Sequence, residues 1–182
     1  MDVPTADDAH AVLGVTITVP DPWASQIRQI RSDAGDPLAR TIVPHITLVP
    51  PVLIAKEDVP AVLEHVRAVA GRGAPFVVEM ARSQTFRPVS PVVYLELARG
   101  ADALGSLHDD LRSAGGPLAG PPRFPFHPHI TLAHGVADGA LDEAATAGDS
   151  VRGTFLAQRI SVHCLVEDGS WVRLEAPELI GR

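Results

Sequence analysis

Apolar and polar positions alternate in two rhythms along this chain. Ala11 to Val19 is β-rich and stops at Pro20, which predicts a strand. From Asp21 the spacing lengthens: Trp23, Ile27 and Ile30 share one face, Asp21 is a natural N-cap, and Pro22 suits the first helical position. That helix runs out near Gly35-Asp36-Pro37. Thr41 to Ile54 is a second β-rich run, broken by Pro44 and Pro50-Pro51. Glu57 to Ala70 is amphipathic through Val59, Leu63, Val66 and Val69, and Phe76 to Ala81 returns to strand.

The rhythm then starts again. Pro91 to Ala98 predicts a strand, and Ala101 to Ala114 a helix with Leu104, Leu107 and Leu111 in register. A Gly/Pro-rich loop follows over residues 115–122. His129 to Val136 predicts a strand, Leu141 to Ala147 a short helix, and Phe155 to Val166 one long strand. Trp171 to Leu174 closes a hairpin through Asp168-Gly169. The order is strand-helix-strand-helix-strand, twice, with an extra strand at the end.

The repetition is literal at one point. Pro44-His45-Ile46-Thr47-Leu48 recurs as Pro128-His129-Ile130-Thr131-Leu132, in the same element of each half. Two similar lobes from an old duplication account for this, about residues 11–82 and 90–178 of a single domain spanning 1–182. The fold class that follows is α+β and bilobal. Two small antiparallel-rich sheets pack about a pseudo-twofold axis, with helices outside and a cleft between.

Composition narrows the chemistry. At 182 residues the chain should bury roughly 70% of its unfolded surface and needs no disulfide. Its one cysteine, Cys164, reads as a small buried apolar residue and suits a reducing cytoplasm. The first ten residues are polar and acidic, unlike a secretory signal, and no apolar run reaches membrane-spanning length. A net charge of −7 opposes a large non-specific nucleic-acid surface, but not a local phosphate site. Lys56 is the single lysine and follows Ala55, so there is no P-loop; a G-x-S-x-G elbow and a dinucleotide fingerprint are also missing.

The repeated pentapeptide remains. In a strand, His45 and Thr47 point one way while Ile46 and Leu48 point the other, and the second copy behaves alike. A pseudo-twofold axis sets His129 and Thr131 across from them. Two imidazoles can divide acid and base work near neutral pH, because histidine titrates near 6.5. Two threonine hydroxyls can donate to non-bridging phosphate oxygens. This pattern suits phosphodiester chemistry without a metal or other cofactor, with a bell-shaped pH dependence between roughly pH 5 and 8. The motif alone does not divide the two roles.

Paired H-x-T-x motifs about one lobe apart resemble the signature of the 2H phosphoesterase superfamily. The likeness is greatest to its bacterial 2′-5′ RNA ligase and RNA 2′,3′-cyclic phosphodiesterase branch. His45-Ile46-Thr47-Leu48 and His129-Ile130-Thr131-Leu132 both match in full, and Phe124-Pro125-Phe126-His127-Pro128 and the Ser90-to-Leu97 strand also look familial. The resemblance implies a bilobal fold, metal-independent hydrolysis of cyclic phosphates, and in some members reversible 2′-5′ joining of RNA ends. It makes His45, Thr47, His129 and Thr131 the catalytic set. Members that process RNA often carry an arginine soon after the second motif, where this chain has Ala133-His134-Gly135. With low basic content, that favours a small cyclic-phosphate nucleotide, a short RNA end or an ADP-ribose cyclic phosphate, handled by a cytoplasmic monomer. The contrasting expectation is a module that binds a nucleotide or RNA end without turning it over.

Further candidates flank the motifs. Arg40 and Arg123 precede the two copies at similar distances and could steer a phosphate; Arg87, between the lobes, could reach a substrate. Phe86, Tyr94 and Phe126 could stack on a base. A metal site built on His127, His129 and His134 is disfavoured, since His134 falls on the opposite strand face from His129. His10, His65, His108 and His163 read as surface or core residues.

Overall fold

The computed structural model describes residues 3–121 and 124–181. In chain order the elements are β1 (His10–Thr18), α1 (Trp23–Asp33), β2 (His45–Ala55), α2 (Val59–Arg72), β3 (Phe76–Thr85), β4 (Val92–Arg99), α3 (Ala101–Leu111), β5 (Ile130–His134), α4 (Asp138–Gly148), β6 (Gly153–Ala157), β7 (Ser161–Leu165) and β8 (Trp171–Glu175). Helix α1 starts one residue later than its proline suggests. The Asp21 carboxylate accepts from both the backbone N–H and the hydroxyl of Ser25, four residues on, while Pro22 takes the cap position.

All eight strands join one antiparallel sheet in the order β6-β3-β4-β5-β2-β1-β7-β8. The two lobes meet at its centre, where Ile46 of β2 lies opposite Ile130 of β5. Strands cross between the halves of the sequence: β3 pairs with β4 and β6, whereas β7 and β8 complete the half built on β1. The sheet is therefore two four-stranded halves, β6-β3-β4-β5 from the middle of the chain and β2-β1-β7-β8 from its two ends.

One expected element is corrected by this crossover. Phe155 to Val166 is two strands, β6 and β7, at opposite ends of the sheet order. The break at residues 158–160 is held by the C-terminal segment, with Leu179 N–H donating to the Gln158 carbonyl and Ile160 N–H to that of Pro177. Continuous β-propensity cannot reveal such a break, since buried Ile160 is as apolar as a strand interior. Conversely, Pro50-Pro51 does not end β2. The register with β1 shifts between Leu13–Val52 and Val15–Val49, and this irregularity absorbs the two residues that lack an N–H.

The helices lie on one face. Helices α1 and α4 contact β5, α3 contacts β2 and β4, and α4 also contacts β3 and β4. Leu13, Val15, Ile17, Ile46, Leu48, Val93, Leu95, Ile130 and Leu132 fill the layer between, all essentially inaccessible to solvent. Strand alternation sends their neighbours to the other face, which no helix of the described residues covers. That open face carries the polar half of the repeated motif.

Candidate active site

The register at the sheet centre determines how the two motifs meet. With Ile46 opposite Ile130, one step either way along the antiparallel pair sets His45 beside Thr131, and Thr47 beside His129. Directly opposed residues have Cβ atoms about 4.5–5.5 Å apart, so the four side chains form one compact quartet. Each histidine thus has its neighbouring hydroxyl from the other copy of the motif.

Both imidazoles are oriented by the same device. His45 Nδ1 is 2.7 Å from the Val43 carbonyl, and His129 Nδ1 is 2.7 Å from the His127 carbonyl, two residues upstream in each case. A carbonyl only accepts, so Nδ1 carries the proton and Nε2 is left with its lone pair in the neutral ring. Burial pushes His45 down to about 4; the Val43 carbonyl opposes this, while the positive charge of Arg31, His163 and His129 adds to it. Burial also lowers His129, against the His127 carbonyl and with the His127 charge.

The two flanks of the quartet differ. On the β4 side, Phe86 and Tyr94 stack at 4.2 Å, and both meet the His129 ring edge-on, at 5.0 and 5.2 Å between centroids. His127 sits against the same stack. On the β1 side the corresponding wall is polar. Thr16 and Thr18 lie opposite Thr47 and His45, and Ser161 of β7 lies opposite Thr16. The Thr16 hydroxyl is buried without a hydrogen-bond partner among the described residues.

The flanking candidates separate. Tyr94 lies beside Thr131 in the register and borders the groove. Phe126 stacks on His108 at 4.1 Å, and His108 Nδ1–H donates to the Leu48 carbonyl at 2.7 Å. Arg87 is turned to α4, 2.5 Å from Asp142 and 3.4 Å from Asp138, so its charge is already matched. Arg40 is exposed in the turn before β2. Arg123 lies outside the described residues. His134 pairs across to Val92 and senses Asp36 and Arg31 on the helix side, away from His129. Among the described residues no three His, Cys, Asp or Glu side chains converge as a metal-binding group.

Some groove residues were not singled out by sequence. His163, Trp171 and Arg173 reach the open face only because β7 and β8 return to β1, and Val43 contributes through a backbone carbonyl. Only the pairing of distant strands reveals them.

A model of the 2′-5′ RNA ligase superfamily matches residues 19–169. The chain belongs to that superfamily, within the 2H phosphoesterases. A protein of Halalkalibacterium halodurans provisionally named a phosphoesterase is 27% identical over 146 residues, covering 79% of this chain and 84% of its own. One of Geobacillus kaustophilus, named likewise, is 35% identical over 91 residues, half of each chain. Among solved structures, Escherichia coli LigT complexed with 3′-AMP superposes with a TM-score of 0.68 at 20% identity, over 93% of this chain and 98% of that one. The Thermus thermophilus protein TT0787 gives 0.65 at 17%, over 94% and 99%. The superfamily supports phosphoesterase chemistry as a class, and the superpositions establish the bilobal α+β fold. No helix among the described residues is long and apolar enough to cross a membrane.

Proposed function

We propose that this 2H phosphoesterase hydrolyses 2′,3′-cyclic phosphates of nucleotides or short RNA ends, with His45 as general base and His129 as general acid. The observation that carries the reading is the mirrored pair of imidazoles, each fixed at Nδ1 by a carbonyl and each beside the other motif's threonine. Titrating near 4, His45 is neutral at physiological pH and offers the Nε2 lone pair to a water proton. The hydroxide formed attacks phosphorus, and His129, charged when the anionic substrate sits against it, gives its Nε2 proton to the departing ribose oxygen. The Thr47 and Thr131 hydroxyls donate to the non-bridging oxygens as charge builds there.

No metal is assigned a step. With a ribose hydroxyl in place of the attacking water, the same opening step would join RNA ends, and its reverse would cleave them again. Escherichia coli LigT has been crystallised with 3′-AMP, with ATP and with NADP+. Of these, 3′-AMP is what opening 2′,3′-cyclic AMP at the 2′ oxygen would leave, which supports a mononucleotide-sized reaction centre in this chain too. A cytoplasmic monomer fits the unpaired Cys164.

The reading is tested by incubating the protein, with and without EDTA, with 2′,3′-cyclic mononucleotides, cyclic-phosphate RNA ends and ADP-ribose cyclic phosphate, and analysing products. Opening of at least one substrate, insensitive to EDTA, is the expected result. Binding without turnover across the panel contradicts it.

A further inference from the structure

The polar flank of the groove is too elaborate for one phosphate. Beyond the quartet, the open face continues over β1, β7 and β8. His163 lies opposite Gly14 of β1 and beside Arg173 of β8. A register shift between Val162 and His163 separates this face from the other: Val162 is buried in the core and its partner Glu175 is bound by Arg67 of α2, so His163 and Arg173 face the groove. Arg173 supplies positive charge on this face, and its cross-strand neighbour His163, held below the ordinary histidine range by burial and by Arg173, supplies a neutral imidazole, so a cation and a hydrogen-bonding ring lead outward from the reacting centre. Arg173 is exposed and forms no ion pair with a described residue.

An aromatic ring accompanies these two groups. Trp171, half-exposed, reaches over β1 until Cζ3 comes within 3.5 Å of where a side chain at Gly14 would begin. Gly14 is two residues along β1 from Thr16, roughly 7 Å from the level of the quartet. That is about one nucleotide step of extended backbone. Thr16 and Ser161 add hydroxyls between, the Thr16 hydroxyl lacking a partner among the described residues. An indole beside a free guanidinium is how single-stranded nucleotides are held, the base by stacking and the phosphate by charge.

We propose that Trp171, Arg173 and His163 form a second subsite, which binds a nucleoside and phosphate attached to the cyclic phosphate being opened. The substrate then spans the groove, with the terminal nucleoside against the Phe86–Tyr94 stack and the adjoining one on Trp171. This rests on the cyclic-phosphodiesterase reading of the same groove. A dinucleotide end and ADP-ribose cyclic phosphate share the required chemistry.

The test measures binding apart from turnover. The chain has two tryptophans, and Trp23 is held behind the sheet by its N–H bond to the Arg152 carbonyl. In a Trp23→Phe variant, emission reports Trp171 alone. It is titrated with a dinucleotide ending in a 3′-phosphate, with ADP-ribose, and with a mononucleoside 3′-phosphate. Expected is quenching by at least one of the two longer ligands, bound at least ten-fold tighter than the mononucleotide. Arg173→Gln, on an exposed strand position, should remove about ten-fold of that affinity and leave the mononucleotide unchanged. Calorimetry with Arg173→Gln in the otherwise native chain repeats the comparison if the Trp23 variant is unstable. Equal affinity for long and short ligands, or an Arg173→Gln effect on all alike, overturns the subsite. Which longer ligand binds tighter identifies the source. Failure to turn over any cyclic phosphate would sink the hydrolase reading while leaving this measurement intact.

Discussion

Ile46 and Ile130 face one another across the centre of the sheet, fully buried, and their register makes His45 a neighbour of Thr131 and His129 a neighbour of Thr47. The apolar half of each motif thus positions the polar half. Truncating Ile130 to Ala should cost about 2–5 kcal/mol by opening a cavity at this junction. It should also lower kcat, because the two lobes meet there. Urea unfolding and steady-state kinetics check both; an unchanged kcat would mean that the lobes are held together elsewhere.

Depressed imidazoles move the pH optimum. His45 must be neutral, which holds above about pH 4, and His129 must be protonated, which holds below a value that burial places under the ordinary 6.5. The kcat/KM profile should therefore peak on the acid side of neutrality, lower than the motif alone implies. The kcat profile should lie at higher pH, since a bound phosphate anion favours both charged rings. An alkaline limb of kcat/KM at or above pH 7 would contradict the assignment.

The same depression links stability to pH. Between about pH 6.5 and 4 the unfolded chain binds a proton at His45 that the folded chain does not, so stability is fullest above this window and falls as pH drops through it. Burial lowers His129, His134 and His163 in the same direction. His45 alone should account for about 1–2 kcal/mol between pH 7 and 5, after allowance for solvent in the groove. Comparing urea midpoints of the native chain and His45→Gln at both pH values isolates it. Equal slopes in the two proteins would rule this out.

His108 joins the two motifs, bonding to the Leu48 carbonyl in one and stacking on Phe126 ahead of the other. His108→Ala leaves that carbonyl without its side-chain donor and removes the stack, which should cost about 1–3 kcal/mol and reduce kcat. His108→Asn, which keeps a donor, should recover part of the stability. If Ala and Asn are equally stable, the bond to Leu48 contributes little.

Behind His45, Arg31 and Asp36 form a buried pair at 2.9 Å, and Arg31 also bonds the Ile42 carbonyl, next to the Val43 carbonyl that orients His45. Arg31→Met should destabilise by about 3–5 kcal/mol by leaving Asp36 buried and unpaired. Adding Asp36→Leu should restore much of that stability. A double variant less stable than Arg31→Met would show that the pair does more than neutralise itself.

The quartet was legible because a duplicated motif states its own geometry: alternation gives the faces, and a twofold relation brings the faces together. Most elements were legible too, since Leu104, Leu107 and Leu111, or Val92 to Leu97, carry their period openly. What sequence concealed was long-range pairing. The passage from β6 in one sheet half to β7 in the other depends on three residues, 158–160, with no local turn signature. His163, Trp171 and Arg173 join the groove through that exchange. Arg87 reads from sequence as able to reach a substrate because Asp138 and Asp142, some fifty residues on, meet it only in the fold.

The central claim, that His45 and His129 form one acid/base pair, is tested most directly by kcat on a 2′,3′-cyclic phosphate for His45→Ala, His129→Ala and the double variant. Each single change should lower kcat by about 10²–10⁴-fold with unchanged circular dichroism, and the double should be little worse than either. Full activity in either single variant would contradict the account.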